Sequence, residues 1–127
     1  MREEATWWLR ASDRDKQAAE KLLNWDLFES SAFHAQQSAE KALKALLIRY
    51  GREARTHSCV SILKLLKMEG LDVSSVELSA KRLDSHYIQS RYPNGAGGPP
   101  EDLYSKEIAE EAMECLGRIL SLVHQNI

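Results

Sequence analysis

Several things are scarce in this chain. There are two cysteines, Cys59 and Cys115, with no Cys-x-x-Cys pair, and both sit in apolar helical patterns. Two small buried thiols are expected rather than a disulfide. There are three prolines and six glycines. Pro93, Gly95, Gly97, Gly98, Pro99 and Pro100 crowd into one short stretch, which leaves residues 1–92 almost free of breakers. Alternating apolar and polar runs are missing and β-branched residues are sparse, so no strand is expected. Apolar runs such as Ala45–Ile48 are far too short to cross a bilayer. The start, Met1-Arg2-Glu3-Glu4, has no apolar segment of the secretory kind, so a cytoplasmic protein is expected. No charge surplus exists either: Lys plus Arg is 17, Asp plus Glu is 19, and the net charge is -2. A bulk polyanion binder is excluded, because non-specific affinity for nucleic acid rests on excess cations.

What is present is helix-forming sequence. The 127 residues, 43% hydrophobic and 28% charged, suit one domain over 1–127. A first helix is predicted over about 3–24, with Trp8, Ala11, Asp15, Ala18 or Ala19, and Leu22 on one face. A second over about 27–50 carries the stripe Phe28, Ala32, Ala35, Ala39, Ala42, Leu46, widened by Phe33, Leu43 and Leu47 and stopped by Gly51. Its small residues would let a neighbouring helix approach closely. Glu40 and Lys44 form an i, i+4 pair worth a few tenths of a kcal/mol. Thr56 is placed to cap a third helix ending near Met68 and Gly70. Ser74 and Glu77 match a capping box for a fourth, running to about Ser90. A loop over 92–104 and a last helix capped by Ser105 complete the chain. The expected fold is all-α: an up-and-down bundle of about five helices with a Gly/Pro-rich loop before the last.

Charge is uneven. Residues 51–92 hold seven basic and five acidic side chains, and residues 93–127 hold two basic and six acidic. Two readings stand: a solvated surface of mixed sign, or a basic groove bordered by Arg52, Arg55, Lys81, Arg82 and Arg91. Within it, Asp84, Tyr87 and Arg91 lie at i, i+3 and i+7, hence on one face of a persisting helix. Such a set suits a nucleotide: the guanidinium as a bidentate phosphate donor, the tyrosine as a stacking plane. The alternative is a surface network that fixes the start of the long loop. His86 projects about 100° from Tyr87 on a helix. Two pairs, Arg52/His57 and Arg118/His124, have the Arg–His spacing of some metal-independent ribonucleases, where His moves protons and Arg neutralises phosphate. Nine arginines and four histidines make chance matches easy. His34 is expected half buried and hydrogen-bonded. Trp7 and Trp8 are expected to anchor the core or a partner face. No metal-ligand spacing is present, and no cofactor is expected.

The string Ala32-Phe33-His34-Ala35-Gln36-Gln37-Ser38-Ala39-Glu40-Lys41-Ala42-Leu43-Lys44-Ala45-Leu46, then Thr56-His57-Ser58, Asp84-Ser85-His86-Tyr87, Arg91-Tyr92-Pro93 and Tyr104-Ser105, resembles the HEPN (higher eukaryotes and prokaryotes nucleotide-binding) domain family over essentially the whole chain. The resemblance implies a bundle of about five helices that dimerises. It also implies a small stand-alone prokaryotic protein, of the kind paired with a minimal nucleotidyltransferase in toxin–antitoxin-like systems. Some members are metal-independent ribonucleases with an Arg-x4-6-His motif; others are noncatalytic nucleotide or RNA binders. Here the motif departs: Arg82 and His86 have three residues between them, and Lys81 stands at the spacing where Arg belongs. Nucleotide or phosphate binding by Arg91, Tyr87 and Tyr92, with Asp84, Arg82 and Lys81 nearby, is therefore the expectation. The alternatives are an endoribonuclease using His86, or in second place His57, and a noncatalytic protein-interaction module.

Overall fold

The computed structural model describes residues 2–127; Met1, part of the acidic start considered above, lies outside the described residues. The elements are α1 (Glu3–Asn24), α2 (Phe28–Arg49), α3 (Cys59–Met68), a 3-10 turn (Ser74–Val76), α4 (Glu77–Asp84), α5 (His86–Gln89), α6 (Pro93–Ala96), α7 (Pro100–Leu103) and α8 (Lys106–Asn126). No strand occurs among the described residues. The all-α bundle expected from periodicity is the observed fold, with α1, α2, α3, α4 and α8 as its main rods. Among the described residues, no helix is long and apolar enough to cross a membrane.

The helix α2 is the central rod, packing on α1, α8 and α3. Ala32, Ala35, Ala39, Ala42, Leu43, Leu46 and Leu47 are fully buried along it. Cys59 and Cys115 are buried free thiols in the same core. The face that α1 buries differs from the expected one. Its deepest residues are Ala5, Ser12 and Ala19, seven apart, and α2 answers with Ser31, Ser38 and Ala45. The two helices run antiparallel, so these small residues meet pairwise. The Ser12 hydroxyl donates to the Ser38 carbonyl at 2.7 Å and the Ser38 hydroxyl donates back to the Ser12 carbonyl at 2.8 Å. Ser31 Oγ donates to the Ala19 carbonyl at 2.8 Å. Ala5 and Ala45 share a small apolar cluster at the far end. Small side chains bring the backbones close enough for hydroxyl-to-carbonyl bonds, and Trp8 and Leu22 are left half-buried at the margins.

Four local expectations change. Ser58, not Thr56, caps α3, accepting from the Ser61 N–H at 3.1 Å, while Thr56 Oγ1 accepts from the Ser58 N–H in the preceding turn. No capping box forms at Ser74, because Asp72 takes both the Ser74 N–H and its hydroxyl, and a 3-10 turn precedes α4. The expected fourth helix is broken at Ser85 into α4 and α5. The stretch expected as loop holds two one-turn helices, each with a proline at its first position, where the missing N–H costs nothing. Gly95 lets α6 lie against α5: a Cβ there would sit 2.5 Å from Ile88 Cγ2.

Candidate functional site

The site forms where α3, α4 and α5 meet the N-terminal half of α2. Asp84 ends α4, and its carboxylate accepts from Ser58 Oγ at 2.7 Å, the Cys59 N–H at 2.7 Å and the Val60 N–H at 3.1 Å. A carboxylate on a helix N-terminus satisfies orphan donors and complements the positive end of the dipole. Asp84 thus bolts α4 to the start of α3. Burial, with the carboxylates of Asp84 and Glu40 adding to it, pushes the Cys59 thiol well up, so this cysteine is no nucleophile.

One turn on, the Tyr87 ring stacks on His57, centroids 4.7 Å apart and planes inclined by 13°. The Arg91 guanidinium lies 4.4 Å from the Phe33 ring centroid, 4.7 Å from that of Tyr87 and 5.1 Å from that of Tyr92. Its Nε and Nη2 both donate to the Tyr87 carbonyl, at 3.0 and 2.8 Å. The Nε side of the fork is therefore occupied, and Nη1 with the second N–H of Nη2 carries the remaining donors. No carboxylate among the described residues forms an ion pair with Arg91. A shallow cavity of about 290 Å³ opens beside this cluster, lined by Thr56, His57, Ser58, Asp84, Tyr87 and Ile88.

Behind His57 lies a polar network. Its Nδ1 is 3.4 Å from Glu40 Oε1, and its carbonyl accepts from Gln36 Nε2 at 3.0 Å. Glu40 Oε2 pairs with Lys44 Nζ at 3.0 Å, and both side chains are buried. This is the i, i+4 pair that the sequence valued at a few tenths of a kcal/mol; inside the protein each charge depends on the other, and losing either would strand its partner. Lys44 Nζ also lies 5.2 Å from a Trp8 ring centroid.

The remaining candidates are dispersed. His86 is buried, 8% exposed, and its Nδ1 shares a 2.6 Å hydrogen bond with the Tyr104 hydroxyl. Burial lowers the His86 pKa, with Glu111 opposing weakly, and lifts that of Tyr104 to about 12. The imidazole is therefore neutral at pH 7 and ties α5 to the chain before α8. Arg82 reaches Glu111 at 3.7 Å, and Lys81 lines a different groove. Arg52 pairs with Glu69 at 3.3 Å and does not converge with His57. Arg118 and His124 are exposed on α8. His34 is half-buried: its Nδ1 donates to Asp15 Oδ1 at 2.9 Å, while Lys41 Nζ holds Asp15 Oδ2 at 2.6 Å. Burial works against ionisation of Asp15, but the His34 and Lys41 hydrogen bonds outweigh it and keep the carboxyl below its usual pKa. Among the described residues, no three His, Cys, Asp or Glu side chains gather to hold a metal ion.

Sequence reasoning missed Phe33, placed then only in the core stripe, and the stacking role of His57. Helical spacing carried a signal for the first: positions 33, 37, 40 and 44 share one edge of α2 and read Phe, Gln, Glu, Lys.

An all-helical bundle with a guanidinium set among aromatic rings at its penultimate rods is the class that fold and site define. A sequence profile of the HEPN domain matches residues 5–126, and the chain belongs to the HEPN domain family. It is 28% identical to "Putative toxin MJ1304" of Methanocaldococcus jannaschii, over 94% of this chain and 85% of that protein. It is also similar to the crystal structure of TT1696 from Thermus thermophilus, with a TM-score of 0.87 and 30% identity, covering 99% of this chain and 100% of that one. ST0689, described as an archaeal HEPN homologue, superimposes with a TM-score of 0.80 and 31% identity, covering 98% of each chain.

Proposed function

We propose that this HEPN protein, one domain over residues 1–127, binds the phosphate of a nucleotide or of RNA at the Arg91 cluster. We propose further that it works in the cytoplasm as a homodimer, as the HEPN partner of a nucleotidyltransferase in a toxin–antitoxin-like pair. The observation that carries the reading is Arg91 itself: exposed, without a carboxylate partner among the described residues, its guanidinium framed by the rings of Phe33, Tyr87 and Tyr92. Free donors on Nη1 suit a phosphate oxygen, and an exposed tyrosine beside them suits a base. Tyr92 is 48% exposed and offers that plane; Tyr87 is engaged with His57 and positions the guanidinium through its carbonyl. Asp84 serves as scaffold. Lys81 and Arg82 contribute only long-range positive potential. The name of the Methanocaldococcus jannaschii relative supports a toxin-like role. The endoribonuclease reading gains nothing from buried His86 or from Arg52, which is paired with Glu69.

Calorimetry with adenine nucleotides and a short single-stranded RNA tests the reading. Arg91→Glu is expected to abolish binding and Tyr92→Leu to weaken it about tenfold, in line with the contribution of one stacked base. Equal affinity in wild type and Arg91→Glu would remove the assignment. Co-purification of a nucleotidyltransferase without any nucleotide bound would favour the protein-interaction module instead.

A further inference from the structure

A second cavity shares no lining residue with the one beside Arg91. It is a groove of about 620 Å³ between α3 on one side and the 3-10 turn with α4 on the other. From α3 come Val60, Leu63, Lys64 and Lys67, at i, i+3, i+4 and i+7. From the opposite wall come Ser74, Glu77, Leu78 and Lys81, at the same spacing. Two helical stripes thus face one trough with no third rod between them. The floor is apolar and closed, with Leu63 and Val73 each 2% exposed, whereas Leu78 on the rim is 59% exposed. The rim is cationic: three lysines against one glutamate, in a chain whose net charge is -2. Lys64 and Lys81 form no ion pair with any described residue, and Lys67 has the exposed carboxylate of Asp72 as its electrostatic neighbour.

We infer that this groove seats an acidic amphipathic helix of a partner protein, one with apolar anchors at i, i+3, i+4 and i+7 flanked by Asp or Glu. The trough has the geometry of a helix-in-groove site, and its lysine rim selects the sign of the flanks. A second copy of this chain fits poorly. Its own acidic stripe on α8, Glu107, Glu110, Glu111 and Glu114, has one exposed large apolar neighbour, Ile108, where the floor calls for anchors over two turns. Nucleic acid fits poorly too, because no aromatic ring lines the groove for a base to stack on.

The test uses two labelled peptides of about 18 residues, long enough for about five helical turns. Both carry leucine at the anchor positions; one is flanked by glutamate, the other by lysine. Fluorescence anisotropy is expected to show the glutamate peptide binding at least about tenfold more tightly. Lys64→Glu/Lys81→Glu should reverse that preference, and Leu78→Asp should weaken the glutamate peptide about tenfold or more. All three positions are exposed, and circular dichroism melts serve to check that the variants fold. Indifference to peptide charge, or failure of the double charge reversal to move it, overturns the inference. So does single-stranded RNA, or a second copy of the chain at high concentration, displacing the peptide from the groove.

Discussion

Two seams of this bundle begin from the same helical periodicity and end differently. Between α1 and α2, alanine and serine recur every seven residues on both rods, and the seam closes until hydroxyls reach across to carbonyls. Between α3 and the 3-10 turn with α4 the facing positions are mostly valine, leucine and lysine, with Ser74 and Glu77 among them, and a groove stays open. Side-chain volume at the facing positions decides which seam seals. A sealed seam supplies rigidity, with small side chains and satisfied polar groups. An open one leaves apolar surface that a further helix can cover. The proposed nucleotide site lies away from the sealed seam, with Phe33 on the other side of α2 and Asp84 clamping α3 to α4.

The contrast can be broken deliberately. The largest effect is expected in the closed seam: Ser38→Leu overfills it and deletes the bond from the Ser38 hydroxyl to the Ser12 carbonyl, and should cost about 3 kcal/mol or more in urea unfolding. Next comes the clamp. Asp84→Ala strips three donors at the start of α3 and should cost about 2 kcal/mol, while disturbing the His57–Tyr87 stack. A smaller effect is expected from pH. The depressed pKa of His86 means that the unfolded chain binds a proton more readily. Its stabilising effect is complete above about pH 6.5 and declines as pH falls through that value toward the folded pKa. Asp15, also depressed, adds a second loss below about pH 3.8. Thermal melts from pH 8 to 3 should fall in those two stages, and His86→Gln should remove the first. Smallest is the open seam, where Leu78→Ala should leave stability within about 0.5 kcal/mol of wild type.

Helix existence, the late Gly/Pro stretch and the Ser105 cap were legible in the sequence, because each rests on local patterning. The sealing of α1 against α2 was not, although it is written there. Its repeat consists of alanines and serines, which hydrophobic periodicity weighs lightly, so the larger Trp8 and Leu22 drew the face off by a fraction of a turn. The candidate site was half legible. Spacing placed Tyr87 and Arg91 together, and they do touch. The same spacing could not show that Asp84 spends its oxygens on the next helix, or that the Tyr87 carbonyl takes one side of the guanidinium fork. Both depend on long-range packing. His57 could not be assigned from its Arg52 spacing, because its neighbours are Glu40 and Tyr87, from two other helices.

The most direct measurement is an NMR titration of the protein with an adenine nucleotide. Chemical-shift changes should concentrate at Phe33, His57, Tyr87, Arg91 and Tyr92 and leave the α3–α4 groove unmoved. Shifts centred on Lys64, Leu78 and Lys81, or none at saturating nucleotide, would contradict the account.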